Sequence, residues 1–181
     1  MPAKASVFVA TSLDGFIARP DGSIEWLVQA NAAIPSGEDC GYKAFMETVD
    51  VIVMGRNTFE QVLTFSEWPH GDKKVVVLTR KGVAVPEALR RTVSISSEAP
   101  ASLVERLSSA GAEHLYIDGG ETIQSFLNER LISELTITVI PVLLGEGKPL
   151  FGPLRSDASL THLSTHAYPF GFVQSRYRVT P

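Results

Sequence analysis

Apolar residues in this chain fall mostly into short unbroken runs rather than alternating with polar ones. Ala5–Ser12, Val51–Met54, Lys73–Leu78 and His114–Ile117 are each of strand length and apolar on both faces. Such runs predict strands of a parallel sheet covered on both sides. Thr92–Ile95 reads as a weaker strand. Helices are predicted between the strands, at Glu38–Thr48, Thr58–Thr64, Glu98–Gly111 and Glu121–Asn128, with Ser97 as a cap and Gly111 as a stop. Asp14-Gly15 and Pro20-Asp21-Gly22 are turn sequences, so Thr11–Trp26 reads as a loop holding a short extended piece, and Asn31–Gly37 as another loop. The rhythm changes towards the end of the chain. Glu134–Leu144 is a long β-branched run, and Leu160–His166 and Phe172–Val179 flank Pro169-Phe170-Gly171 as a hairpin. The predicted fold is α/β: a mixed, mostly parallel central sheet with helices on both faces and an antiparallel C-terminal hairpin.

At 181 residues the chain is expected to form one domain spanning 1–181. Cys40 is the sole cysteine, which excludes intramolecular disulfides and a cysteine-based zinc site and fits a reducing compartment. No apolar run approaches the roughly 20 residues needed to cross a bilayer, and the N-terminus lacks the pattern of a signal peptide. The net charge of −4, without a basic cluster, argues against a nucleic-acid partner. A cytoplasmic protein with a small-molecule ligand is the expectation. His162 and His166 share a strand face but no third ligand accompanies them, so no metal site is expected.

Two predicted strands break into glycine and then into a helix. The first gives Met54-Gly55-Arg56-Asn57-Thr58 and the second Ile117-Asp118-Gly119-Gly120-Glu121-Thr122-Ile123. In open α/β sheets such turns lie at the carboxyl edge, where ligands bind. Helix starts offer unpaired N–H groups to phosphate, and glycine lets a ligand approach the backbone. A third strand end, Leu78-Thr79-Arg80, adds a hydroxyl and a second guanidinium to that of Arg56. Two cradles and two arginines suit a dinucleotide with an additional 2′-phosphate.

The order of these segments resembles the dihydrofolate-reductase superfamily along almost the whole chain. It is closest to stand-alone relatives of the reductase domain of the riboflavin-pathway deaminase–reductases. The matching stretches are Thr11–Ala18, Val53–Glu60, Leu78–Arg80, Ile117–Gly120 and Leu135–Gly147. The resemblance implies an NADPH-dependent, homodimeric reductase of a pyrimidine or pteridine-like heterocycle, of the ribosylaminouracil-phosphate type. The alternatives are a dihydrofolate reductase and a non-catalytic nucleotide-binding protein. It implies that Ala10 and Ile17 flank the nicotinamide and that Gly55, Arg56, Asn57 and Thr58 hold the adenosine-side phosphates. Thr79 and Arg80 would then hold the 2′-phosphate, and Gly119 to Ile123 the pyrophosphate. The deaminase half, with its zinc signature, is absent from this sequence.

Reduction by hydride also needs a proton at the substrate. Asp39, sixteen residues before Gly55, matches the helix carboxylate of the folate enzymes; its alternative role is a helix-start carboxylate. Asp14 is the second candidate and is equally suited to turn formation. A catalytic Asp39 requires a partly apolar pocket, shared with Tyr42 and Phe45. Trp26, Tyr42, Phe45 and, through the resemblance, Thr138 are the substrate-side candidates, with core packing as the competing role for the aromatics.

Overall fold

The computed structural model describes residues 1–180. Ten strands and five α-helices are found along the described residues. They are β1 (Lys4–Ser12), β2 (Phe16–Ala18), α1 (Glu25–Asn31), α2 (Tyr42–Glu47), β3 (Val51–Gly55), α3 (Arg56–Val62), β4 (Lys74–Leu78) and β5 (Val93–Ser96). Then follow α4 (Pro100–Ser109), β6 (His114–Asp118), α5 (Gly120–Asn128), β7 (Glu134–Ile140), β8 (Lys148–Pro149), β9 (Leu160–Ala167) and β10 (Val173–Val179).

Eight strands form one sheet in the order β5-β4-β3-β6-β1-β7-β10-β9. The six from β5 to β7 are parallel to their neighbours, and β10 and β9 run antiparallel. The mostly parallel sheet with an antiparallel end is therefore as the apolar runs predict. Both faces are covered. α4 and α5 bury Leu103, Val104, Leu107, Ile123, Phe126 and Leu127 against one face. α3 places Phe59 on the other, where half-buried Tyr42 and Phe45 of α2 join it.

Several boundaries differ from expectation. The short extended piece expected within Thr11–Trp26 is β2, and the unexpected feature is its partner: it pairs with β8 as a separate ribbon, Phe16 facing Pro149 and Ala18 facing Lys148. α1 is a helix that the sequence reading does not predict, beginning in the expected Thr11–Trp26 loop and ending at Asn31; it follows the turn sequences directly and has no side-chain cap. The helix expected from Glu38 starts at Tyr42, because Cys40 (φ 54°) and Gly41 (φ 81°) adopt left-handed backbone that breaks it. Ser97 is not the cap of α4: Ala99 holds that position and Pro100 opens the helix, where a missing N–H costs nothing. β7 stops at Ile140, since Pro141 cannot continue the ladder.

Candidate active site

β3 and β6 are hydrogen-bonded neighbours up to Met54 and Asp118. From their carboxyl ends the chain leaves towards opposite faces, into α3 on one and α5 on the other. That divergence makes the crevice in which open α/β sheets bind nucleotides. The two turns are keyed together. A methyl group added at Gly119 (φ 91°) would overlap the Thr58 hydroxyl, and one at Gly55 would lie 2.9 Å from Thr122 Oγ1. Gly55 pairs with Leu78 on β4, so Arg56 and the Thr79-Arg80 segment leave from neighbouring strand ends. Arg56 makes a loose contact of 3.9 Å with Glu60, and Arg80 is exposed with no ion-pair partner among the described residues. α5 has no side-chain cap, so its first-turn amides remain open to a ligand.

A second opening lies beside the first. The β1–β6 ladder ends at Ser6 and Tyr116, although β1 continues to Ser12 and β6 to Asp118. β1 remains paired with β7 along its upper half, Ala10 facing Thr138. The gap is therefore bounded by Phe8 to Ala10 on one bank and by Ile117 to Gly119 on the other. The Phe8 carbonyl, left without β6, accepts from the Tyr116 hydroxyl at 3.0 Å. Ile17 of β2 packs against Gly120, with 3.0 Å between its Cδ1 and a Cβ added there.

Of the cofactor-side residues, Gly55, Arg56, Asn57, Thr58, Leu78, Thr79, Arg80, Gly119, Gly120 and Glu121 gather at this edge, all at least partly exposed. Ile117 and Ile123 do not offer side chains to a ligand: both are fully buried in the core, and the Ile123 amide is bonded to the Gly119 carbonyl at 2.9 Å. Thr122 is also buried, its hydroxyl set against Gly55.

The substrate-side candidates divide into two groups. Trp26 is buried with Cys40, Ile140 and Phe172, and Ala10, Tyr168 and Phe170 are among the partly buried residues packed against them. Its indole N–H has no hydrogen-bond partner among the described residues. Thr138 belongs with this group, because Gln174 Nε2 donates both to its hydroxyl (3.0 Å) and to the Cys40 carbonyl (2.9 Å). Tyr42 and Phe45 instead pack on Phe8, with ring centroids 5.5 and 5.0 Å away, and Phe45 also meets Tyr116 at 5.1 Å. Phe45 is thereby occupied in packing.

Neither expected carboxylate has the environment of a proton donor. Asp39 is exposed, and its two oxygens accept from the amides of Gly41 (2.9 Å) and Lys43 (2.8 Å), so the apolar pocket expected around it is not formed. Asp14 clamps a loop. It accepts from the Ser12 hydroxyl at 2.6 Å and from the amides of Leu144 and Gly145 at 3.1 and 2.8 Å. The Ser12 bond holds its carboxyl below the ordinary value, opposed by desolvation and helped by the Gly145 and Leu144 amides.

Asp118 has the missing environment, and sequence reasoning passed over it as a turn residue between Ile117 and Gly119. It closes a buried strand beside the gap, and desolvation pushes its carboxyl up to about 6, offset only by the Gly119 amide at 2.9 Å. The residue keeps some exposure although its carboxyl is desolvated. The available signal was a carboxylate ending a fully apolar run, directly before Gly-Gly.

Residues 3–173 match the family described as the RibD C-terminal domain. The chain belongs to that family. Uncharacterized protein YwjB of Bacillus subtilis is 37% identical over 164 residues, covering 88% of this chain and 89% of that one. The structure of a "Putative riboflavin biosynthesis protein" from Shewanella sp. PV-4 superposes with a TM-score of 0.91 at 40% identity over 100% of both chains. The fold, dihydrofolate-reductase-like, is shared at greater distance with a Thermotoga maritima diaminohydroxyphosphoribosylaminopyrimidine deaminase/5-amino-6-(5-phosphoribosylamino)uracil reductase. There the TM-score is 0.72 at 16% identity, and the match covers 99% of this chain and 57% of that one. In this RibD-type reductase fold, the gap beside Ala10 and the keyed turns face the same carboxyl edge. Among the described residues no helix is long and apolar enough to cross a membrane.

Proposed function

We propose that the protein is an NADPH-dependent reductase of a flat pyrimidine or pteridine-like heterocycle. The observation that carries this reading is the parting of β1 from β6 above Ser6 and Tyr116, directly beside the keyed turns. A ring entering that gap would lie against Ala10, with Ile17 over it. Gly119, Gly120 and the open amides of α5 would hold the pyrophosphate. Arg56, Asn57 and Thr58 would hold the adenosine side, and Thr79 and Arg80 the 2′-phosphate, with guanidinium forks matched to phosphate oxygens. Bound there, the cofactor supplies a hydride. The chain supplies position and a proton, and Asp118 is the site carboxyl that desolvation raises towards neutral pH, to about 6. Trp26, Thr138, Gln174 and Tyr168 form the opposite wall for the heterocycle.

A single 1–181 domain is supported by one eight-stranded sheet that includes both the first strand, β1, and the last, β10. A cytoplasmic setting is supported by a lone, buried, unpaired cysteine. The deciding experiment is NADPH oxidation, followed at its absorbance band across a panel of pterins and aminouracils. Turnover with one member and none with NADH at equal concentration is expected. NADPH uptake without turnover on any member favours a nucleotide-binding protein that retains the fold alone.

A further inference from the structure

The two sides of the cleft differ in charge. The cofactor side has two arginines, Arg56 and Arg80. On the other side stand the carboxylates of Glu38, bonded to the Cys40 amide at 2.7 Å, and Asp39; after desolvation, both help to push up the Cys40 thiol and the Tyr168 hydroxyl. The charge that acts on Tyr42 and Tyr116 is Asp118. None of the three carboxylates is paired with a lysine or arginine among the described residues.

Of the other cations, Lys4 and Arg176 are engaged, Arg19 belongs to the Arg19–Ser23 turn, and Lys148 Nζ lies beside Gly22 of that turn. Arg19 lies in a turn whose Gly22 carbonyl accepts from Gln61 of α3 at 2.8 Å, so that turn is tied to the cofactor side. Lys43 is exposed on α2, off the Tyr42–Phe45 face that meets Phe8. Lys4 and Arg176 share Glu134, at 3.0 and 3.3 Å.

Backbone donors, the other means of binding a phosphate, are also in use at this rim. Glu38 Oε1 accepts from the amides of Asp39 (3.0 Å) and Cys40 (2.7 Å), and Asp39 takes those of Gly41 and Lys43. The segment that would have to cradle an anion is therefore already saturated with the protein's own carboxylates. A phosphate brought here would lose water and gain like charge in return.

The geometry points to a substrate that carries no phosphate: a flat, uncharged or cationic heterocycle, selected by the aromatic wall of Trp26, Tyr168 and Phe172 and the carboxylate rim of Glu38 and Asp39. This rests on the reductase reading and narrows it, because a ribosyl-phosphate substrate would meet repulsion where it needs a counter-ion.

The test uses the intact protein saturated with NADP⁺, after cofactor uptake has been measured separately. Two probes, 5-amino-6-ribitylaminouracil and its 5′-phosphate, are titrated by quenching of tryptophan fluorescence. The free compound is expected to bind at least about tenfold tighter at low salt, and the gap to narrow at about 0.5 M salt as charges are screened. Glu38→Gln should narrow it too, while an unchanged melting temperature shows that the rim still folds. Equal or tighter binding of the phosphate overturns the proposal, as does a gap indifferent to both salt and Glu38. Binding of neither probe by a protein that takes up NADP⁺ also overturns it for this substrate class. Failure to take up NADP⁺ at all would instead bring down the reductase reading.

Discussion

The hydroxyl of Thr58 occupies the space that a side chain at Gly119 would need, and Thr122 stands in the same relation to Gly55. Each turn thus fills the opening left by the other's glycine, and the carboxyl ends of β3 and β6 are locked at close approach. Gly119→Ala meets two obstacles at once, the overlap with Thr58 and a backbone at φ 91°. We expect a loss of about 1–3 kcal/mol in stability and weakened NADPH binding, read by thermal unfolding and cofactor titration. Adding Thr58→Ala should restore part of the loss, since it removes the overlap and leaves the backbone strain. No recovery in the double variant would show that the hydroxyl contact is not what limits the site.

Arg80 follows Thr79 at the end of β4, exposed and free of protein ion pairs among the described residues. One charge-assisted phosphate contact is worth about 1.5–3 kcal/mol, or roughly ten- to a hundred-fold in affinity. Arg80→Ala should therefore weaken NADPH by that factor and leave NADH nearly unchanged. Equal weakening of both cofactors in parallel titrations would remove the 2′-phosphate from this residue.

The central strands are legible because they are apolar on both faces: Val51 to Met54 and Val75 to Val77 are all buried, and an unbroken run shows this directly. The hairpin is legible from its turn. α1 is not, since Val28 within it is 63% exposed and blurs any apolar stripe. The site is legible as far as its glycines and arginines, which are local signals. The roles of Asp14 and Asp39 depend on where the backbone amides that their oxygens accept from end up, and for Asp14 these lie across the chain at Leu144 and Gly145. The environment of Asp118 depends on β6 leaving β1, an event in the sheet that no residue type announces.

The outer strand β9 is exposed along its whole length, eight residues from Leu160 to Ala167, with an unpaired edge. Leu160, Leu163 and Val173 add apolar surface to this end of the sheet, at 44%, 36% and 39% exposure. An edge of this length without proline or inward charge invites pairing, so we expect a homodimer through β9. Sedimentation equilibrium at micromolar concentration should give twice the 19.6 kDa chain mass, and Leu163→Glu with Thr165→Pro should reduce it to the monomer. A monomeric parent protein would rule this interface out.

Asp118 and Asp14 make opposite predictions for stability against pH. The Asp118 carboxyl rises from 3.8 to about 6 on folding because burial disfavours its charged form. Between those values the folded state holds more protons than the unfolded one, so its contribution is full below about pH 4 and is lost as pH rises through 6. Asp118→Asn removes the charged form and should gain on the order of 2–3 kcal/mol over the parent at pH 7, with the advantage vanishing near pH 4. Asp14 is the control: its carboxyl is lowered, so its contribution exists above pH 4 and fades on acidification. Asp14→Asn should therefore be destabilised at pH 7, and the deficit should disappear in acid. In turnover, Asp118→Asn should lower the chemical step by roughly a hundred-fold, and the parent's rate should fall as pH passes 6 and the proton is given up. Urea titrations from pH 4 to 8 and single-turnover rates over the same range read both effects. A variant that becomes more stable at pH 7 yet turns over normally would leave Asp118 buried but idle, with the proton coming from solvent.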